Sequence, residues 1–129
     1  MAIVVGYVPT KEGRAALSRA GEECKLRNTS LVLVNSARGG RDQPAEGLDA
    51  EIDEMVGALS ADGVEVDVRT LVRGHEPAED LIEVAEEVDA DFIVIGLRRR
   101  TPVGKLILGS NAQRILLDSP CPVFAVKAE

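Results

Sequence analysis

Two short segments hold the residues best suited to chemistry, Gly96-Leu97-Arg98-Arg99-Arg100 and Gly109-Ser110-Asn111-Ala112. The apolar run Phe92-Ile93-Val94-Ile95 stops at Gly96 and a helix pattern resumes at Ser110, so the order is strand, basic loop, helix start. Such an arrangement suits a bound anion. The first N–H groups of a helix have no partner within it and lie at the positive end of its macrodipole, and glycines let a ligand approach the main chain. The three guanidinium groups add planar donors that match phosphate oxygens.

The rest of the chain must position these segments, and its apolar spacing alternates between two periods. Ile3 to Val8 and Leu31 to Asn35 are short runs rich in β-branched residues, as expected for strands of a parallel sheet covered on both faces. Val64, Val66, Val68 and Leu71 alternate in part with Glu65, Asp67 and Arg69, which predicts a third strand with one wetter face, near an edge. Phe92 to Gly96 and Pro122 to Lys127 are the fourth and fifth strands. Between them run helical stripes: Ala16, Leu17, Ala20 and Cys24; then Leu48, Ile52, Met55, Val56 and Leu59; then Ala78, Leu81, Ile82, Ala85 and Val88 behind Pro77. A fourth stripe, Ala112, Ile115 and Leu116, follows Ser110 and Gln113, which have the spacing of a capping box. Arg38 to Pro44 reads as a mobile loop.

Strict alternation with short connections implies right-handed crossovers. The expected fold class is therefore α/β, an open parallel five-stranded sheet with helices on both faces, and its strands are expected in the common order 3-2-1-4-5. In that order the winding reverses between strands one and four, and ligands of such sheets bind beyond the carboxyl ends of the strands at that point. Val8-Pro9-Thr10 and the Gly96 loop would meet there.

Composition narrows the function. A chain of 129 residues predicts one domain spanning residues 1–129, and its net charge of −7 argues against general affinity for nucleic acid or anionic membranes. Tyr7, Phe92 and Phe124 are too few for a stacking platform. The apolar run Met1-Ala2-Ile3-Val4-Val5-Gly6 is too short for a signal peptide or a span, so a cytoplasmic location is expected. Cys24 and Cys121 lack metal-ligand spacing and read as free thiols, Cys121 and Met55 read as packing residues, and His75 has no companion ligand.

The sequence Gly96-x-x-Arg99-(nine residues)-Gly109-Ser110, with Asn111-Ala112-Gln113-Arg114-Ile115 after it and Ser119-Pro120-Cys121-Pro122-Val123 leading into the last strand, resembles the C-terminal signature of the universal stress proteins. Ile3 to Val8, Gly74-x-x-Pro77-Ala78 and Ala90 to Gly96 extend the resemblance over essentially the whole chain. It implies a Rossmann-like domain, related to the adenine nucleotide alpha hydrolases, that acts in stress responses without a defined catalytic reaction. It also implies a homodimer joined through the last strand, Val123 to Val126. Those apolar residues would otherwise leave an open sheet edge as a template for aggregation. Some members bind ATP or AMP, and the binders carry a second Gly where this chain has Arg99 and an Asp where it has Val8. A nucleotide held in that way would place its phosphates on Gly109, Ser110 and Asn111 and its outer phosphates on Arg98 and Arg99. Thr10 and Gly96 would lie on the ribose side, with Asn35 and Ser36 at the adenine edge.

Rival functions of parallel sheets fail on particular residues. Gly6-Tyr7-Val8-Pro9-Thr10-Lys11 lacks the G-x-G-x-x-G of dinucleotide binding, and Arg99 and Leu106 break a phosphate loop ending at Gly104-Lys105. Val8-Pro9 and Val72-Arg73 stand where a phosphoacceptor domain keeps its carboxylates. No nucleophile with a base converges on the cleft, so no enzyme is expected. Two readings stand: a nucleotide-responsive module, and a dimeric interaction protein that binds no nucleotide.

Overall fold

The apolar runs become strands and the stripes become helices in the computed structural model, which describes residues 2–8, 10–36, 46–71, 77–97 and 110–127. In chain order the elements are β1 (Ala2–Tyr7), α1 (Lys11–Arg27), β2 (Ser30–Ser36), α2 (Glu46–Ala61), β3 (Val66–Leu71), α3 (Pro77–Glu87), β4 (Phe92–Leu97), α4 (Ser110–Asp118) and β5 (Val123–Lys127). All neighbouring strands are parallel, in the order β3-β2-β1-β4-β5. The expected topology is the observed one.

Strand alternation divides the core into two layers. Ile3, Val5, Tyr7, Leu31 and Leu33 face α1 and α2, where Ala16, Leu17, Ala20, Cys24 and Ile52 cover them. Val4, Val32, Val34, Ile93 and Ile95 face α3 and α4 and meet Leu81, Val84, Ala85 and Ile115. Because β1 is covered on both faces, its sequence shows no polar alternation. Each fully buried aliphatic side chain contributes about 1.5–3 kcal/mol by leaving water.

Local signals set the helix ends. Thr10 is extended and its Oγ1 accepts from the Gly13 N–H at 3.2 Å, which starts α1; Asn28, in the left-handed region at φ 54°, ends it. Pro77 opens α3, with Glu79 and Asp80 in the first turn facing the positive end of the dipole. At the far end of the sheet Phe92 and Phe124 stack with centroids 6.0 Å apart, and the guanidinium groups of Arg27 and Arg19 lie over them at 5.1 and 5.6 Å. Glu23 holds both arginines, at 3.1 Å from Arg27 and 3.8 Å from Arg19, so α1 clamps β4 to β5.

Several expectations need correction. The third strand begins at Val66 and not Val64, whose side chain is instead buried as a loop residue under α2. Val8 falls outside β1, which ends at Tyr7, and Pro122 precedes β5. In α3 it is Val84, not Ile82, that is buried with Leu81 and Ala85, because i+3 follows the core face more closely than i+1. Leu116 does not join the stripe of α4; one position past Ile115 it is turned about a quarter of the way round the helix, and it is 42% exposed. Ser110 is the first residue of α4 rather than a cap preceding it. Cys24 and Cys121 are both free, as expected, and belong to opposite layers, so the sheet separates them. Arg38 to Pro44, Arg100 and His75 lie outside the described residues.

Candidate functional site

The winding reverses between β1 and β4, and a cavity of about 170 Å³ opens there. Gly6, Val34, Ile95 and Gly96 line it from the sheet, Pro77 and Leu81 from α3, and Asn111, Ala112 and Ile115 from α4. Its lining is mostly apolar, with the Asn111 amide as its one polar side chain apart from Tyr7 among the described residues. Both α3 and α4 present their first turns to it, so two positive helix ends converge on one space. An apolar chamber bounded by helix starts can hold a flat ring and an attached anion.

Two glycines fix the approach of α1 to this region. A Cβ at residue 96 would stand 2.1 Å from the Glu12 carbonyl oxygen, and one at residue 13 would stand 1.8 Å from that of Val8. Main chain meets main chain at both points, so no side-chain rotation could relieve the clash. The sequence suggested that Gly96 admits a ligand; the structure shows that its α-carbon first admits α1.

The other expected site residues separate into three groups. Arg98, Arg99 and Gly109 lie outside the described residues, while Ser36 and Ser110 are placed only as the last residue of β2 and the first of α4. Thr10 and Asn111 have side chains already committed. Thr10 caps α1, and the Asn111 Oδ1 accepts from the Ala78 N–H of α3 at 3.3 Å. Asn35 is 4% exposed, and its Nδ2 has no hydrogen-bond partner among the described residues. By alternation with Leu31 and Leu33 its side chain lies on the α1 and α2 face, whereas β2 contributes Val34 to the cavity.

One polar cluster escaped the sequence. Opposite Asn35 in the strand register, Tyr7 is buried, and its hydroxyl donates to Glu51 Oε1 of α2, which also receives Arg14 Nη1 of α1 at 3.4 Å. Burial first, and then the carboxylate, push the phenol up to about 12. The same hydrogen bond, aided by Arg14, holds Glu51 below the usual carboxylate range. A buried Tyr demands a partner for its hydroxyl, which is the one available signal, but nothing local in the sequence says that residue 51 supplies it.

An open parallel sheet of this order, with a cavity where the winding reverses, defines a Rossmann-like α/β domain. The model of the Universal stress protein family matches residues 1–127, and the chain belongs to that family. A universal stress protein of Mycolicibacterium smegmatis is 42% identical over 126 residues, covering 97% of this chain and 96% of its own length. The solved universal stress protein of Archaeoglobus fulgidus is 37% identical with a TM-score of 0.82, covering 98% of both chains. A structure of the universal stress protein from the same organism in complex with dAMP is 32% identical, with a TM-score of 0.75 and 98% of each chain covered.

Proposed function

We propose that this protein is a non-catalytic adenine-nucleotide-binding module that acts as a homodimer in the stress response. The observation that carries the reading is the cavity at the β1 and β4 ends, closed on two sides by the starts of α3 and α4. At about 170 Å³ it is smaller than the ~300–1,000 Å³ of whole small-molecule sites, so it takes the flat base and leaves the charged part of the ligand at the helix start. The dAMP complex of the Archaeoglobus fulgidus relative supports an adenine nucleotide, AMP or ATP, as the ligand class.

In this reading the main-chain N–H groups of Gly109, Ser110 and Asn111 receive the inner phosphates, and Arg98 and Arg99 the outer ones. Gly96 and Thr10 lie on the ribose side. Asn35 and Ser36 meet the adenine edge through the main chain, since the Asn35 side chain lies across the sheet from the cavity. The cavity lining offers an amide and apolar surface, which supports binding rather than turnover. Among the described residues no cluster suits a metal ion and no helix is long and apolar enough to cross a membrane. A cytoplasmic location is part of the same reading.

The two sheet edges differ in a way that supports the dimer. Edge strand β3 carries Asp67 and Arg69, with Arg69 paired to Asp67 and Glu87 at 3.2 and 2.7 Å, whereas β5 offers Val123, Phe124, Ala125 and Val126 before Lys127. Charge protects one edge, and a twin strand would protect the other.

A second reading, a dimeric interaction protein without nucleotide, is favoured by one observation: the side chains of Thr10 and Asn111 are both engaged in helix capping. Isothermal titration with ATP and AMP separates the two. Micromolar binding that weakens when Ser110→Ala and Arg99→Ala are combined is expected, and no heat at millimolar nucleotide would leave only the second reading.

A further inference from the structure

We infer that Asn111 is a positioning residue, whose side chain ties the start of α3 to the start of α4 and so sets where a ligand's anionic group can sit; this rests on the nucleotide reading above. Ala78 is the second residue of α3 and Asn111 the second of α4, so each main-chain N–H belongs to the set that no helix satisfies internally. Pro77, one residue before Ala78, has no N–H to offer. The Asn111 Oδ1 takes the Ala78 N–H across 33 residues of sequence, while the Asn111 N–H, at the second position of α4, has no acceptor within its own helix. One residue thereby serves both helices.

The bond also solves an electrostatic problem. Two helix starts that converge on one cavity bring two partial positive charges together, and the amide oxygen between them offsets part of that repulsion. Pro77 and Asn111 both line the cavity, so this bond helps to set the distance between the α3 and α4 walls at its mouth, beside the packing of Ile115 with Leu81 and the Arg114–Glu79 pair at 3.7 Å farther along the two helices. A base held by the walls then has its phosphate delivered to the α4 donors in one position. Without the bond the first turn of α4 could shift against that of α3, and the base and the phosphate would be less well placed together.

Two variants test this. Asn111→Ala removes the acceptor: hydrogen exchange of the Ala78 amide should quicken, and AMP should bind more weakly by up to about tenfold, the most that losing one such preorganising hydrogen bond costs. Asn111→Asp keeps an acceptor that caps a helix well, so the Ala78 amide should exchange as slowly as in the unaltered chain. Its added charge lies beside the anion, so the ratio of AMP affinity to adenosine affinity should fall about tenfold, a change that a purely structural bond would not produce. Equal AMP affinity in Asn111→Ala and the unaltered chain would overturn the positioning role. An unchanged affinity ratio in Asn111→Asp would overturn the placement of the anion. Failure of the unaltered chain to bind AMP or adenosine would instead remove the nucleotide reading, and this inference with it.

Discussion

Gly96 of β4 and Glu12 of α1 are in main-chain contact: the missing Cβ of Gly96 is the space that the Glu12 carbonyl occupies. The contact joins the first turn of α1 to the end of the fourth strand, on the far side of the sheet from the cavity that the same glycine lines. A residue that reads in the sequence as a ligand's point of entry is thus also a structural hinge pin between helix and sheet.

Gly96→Ala should therefore destabilise the fold by about 3 kcal/mol or more, at the upper end of overpacking costs, because backbone cannot yield as a side chain can. Gly57→Ala is the control. Residue 57 lies in the exposed part of α2, a Cβ there would meet nothing within 4 Å, and the exchange should stabilise by about 0.5–1 kcal/mol. Urea denaturation of both variants checks the pair, and comparable effects would refute the contact.

Tyr7 makes the stability depend on alkaline pH. Its phenol is raised from an ordinary value of 10 to about 12, so its contribution is complete below pH 10 and is lost as pH rises toward 12. A shift of that size corresponds to a few kcal/mol. Tyr7 is the one tyrosine of a chain without tryptophan, so the tyrosinate absorbance reports it alone. Its midpoint should lie near 12 in the native protein and near 10 in denaturant. Tyr7→Phe should abolish the extra alkaline loss of stability.

The opposite pH limb belongs to Glu51. Its folded value is lowered by the Tyr7 hydroxyl, so that contribution is present above the ordinary carboxylate value and fades as pH falls through the lowered one. Glu51→Gln should flatten the acid side of the stability profile measured by urea denaturation, and an acid limb as steep as before would remove Glu51 from its cause.

The two thiols should differ in reactivity. Cys24 is buried, donates to the Ser30 carbonyl at 3.5 Å, and is pushed up to about 11 by burial, with Glu23 adding to it. Cys121 is only half-buried in the turn before β5. Mild alkylation of the native protein followed by mass spectrometry should label Cys121 before Cys24, and Cys24 should react only after unfolding. Native labelling of Cys24 would mean that the α1 layer opens readily.

The dimer proposal is tested at the edge it uses. Ala125 is exposed on β5, so Ala125→Arg should leave the melting temperature within a few degrees while placing like charges against each other in a paired strand. Light scattering at micromolar concentration should show the mass fall from two chains to one. A variant that stays dimeric would move the interface away from β5.

The amino-acid order determined the elements and, with the family signature, the order of the strands. Ile3-Val4-Val5, Leu31 to Val34 and Phe92 to Ile95 declare buried parallel strands because side chains alternate across the sheet with a period the backbone dictates, and both faces are covered. Thr10 before Gly13, and Pro77 before Glu79 and Asp80, declare helix starts for equally local reasons. Only the tertiary structure decided which groups meet. That Tyr7 finds Glu51, that Asn111 finds Ala78, that Gly96 makes room for Glu12 and that Asn35 turns away from the cavity all depend on where each crossover sets its helix on the sheet. Periodicity is a property of a few adjacent residues; contact across tens of residues follows from the packing of whole elements, which no short stretch of sequence records.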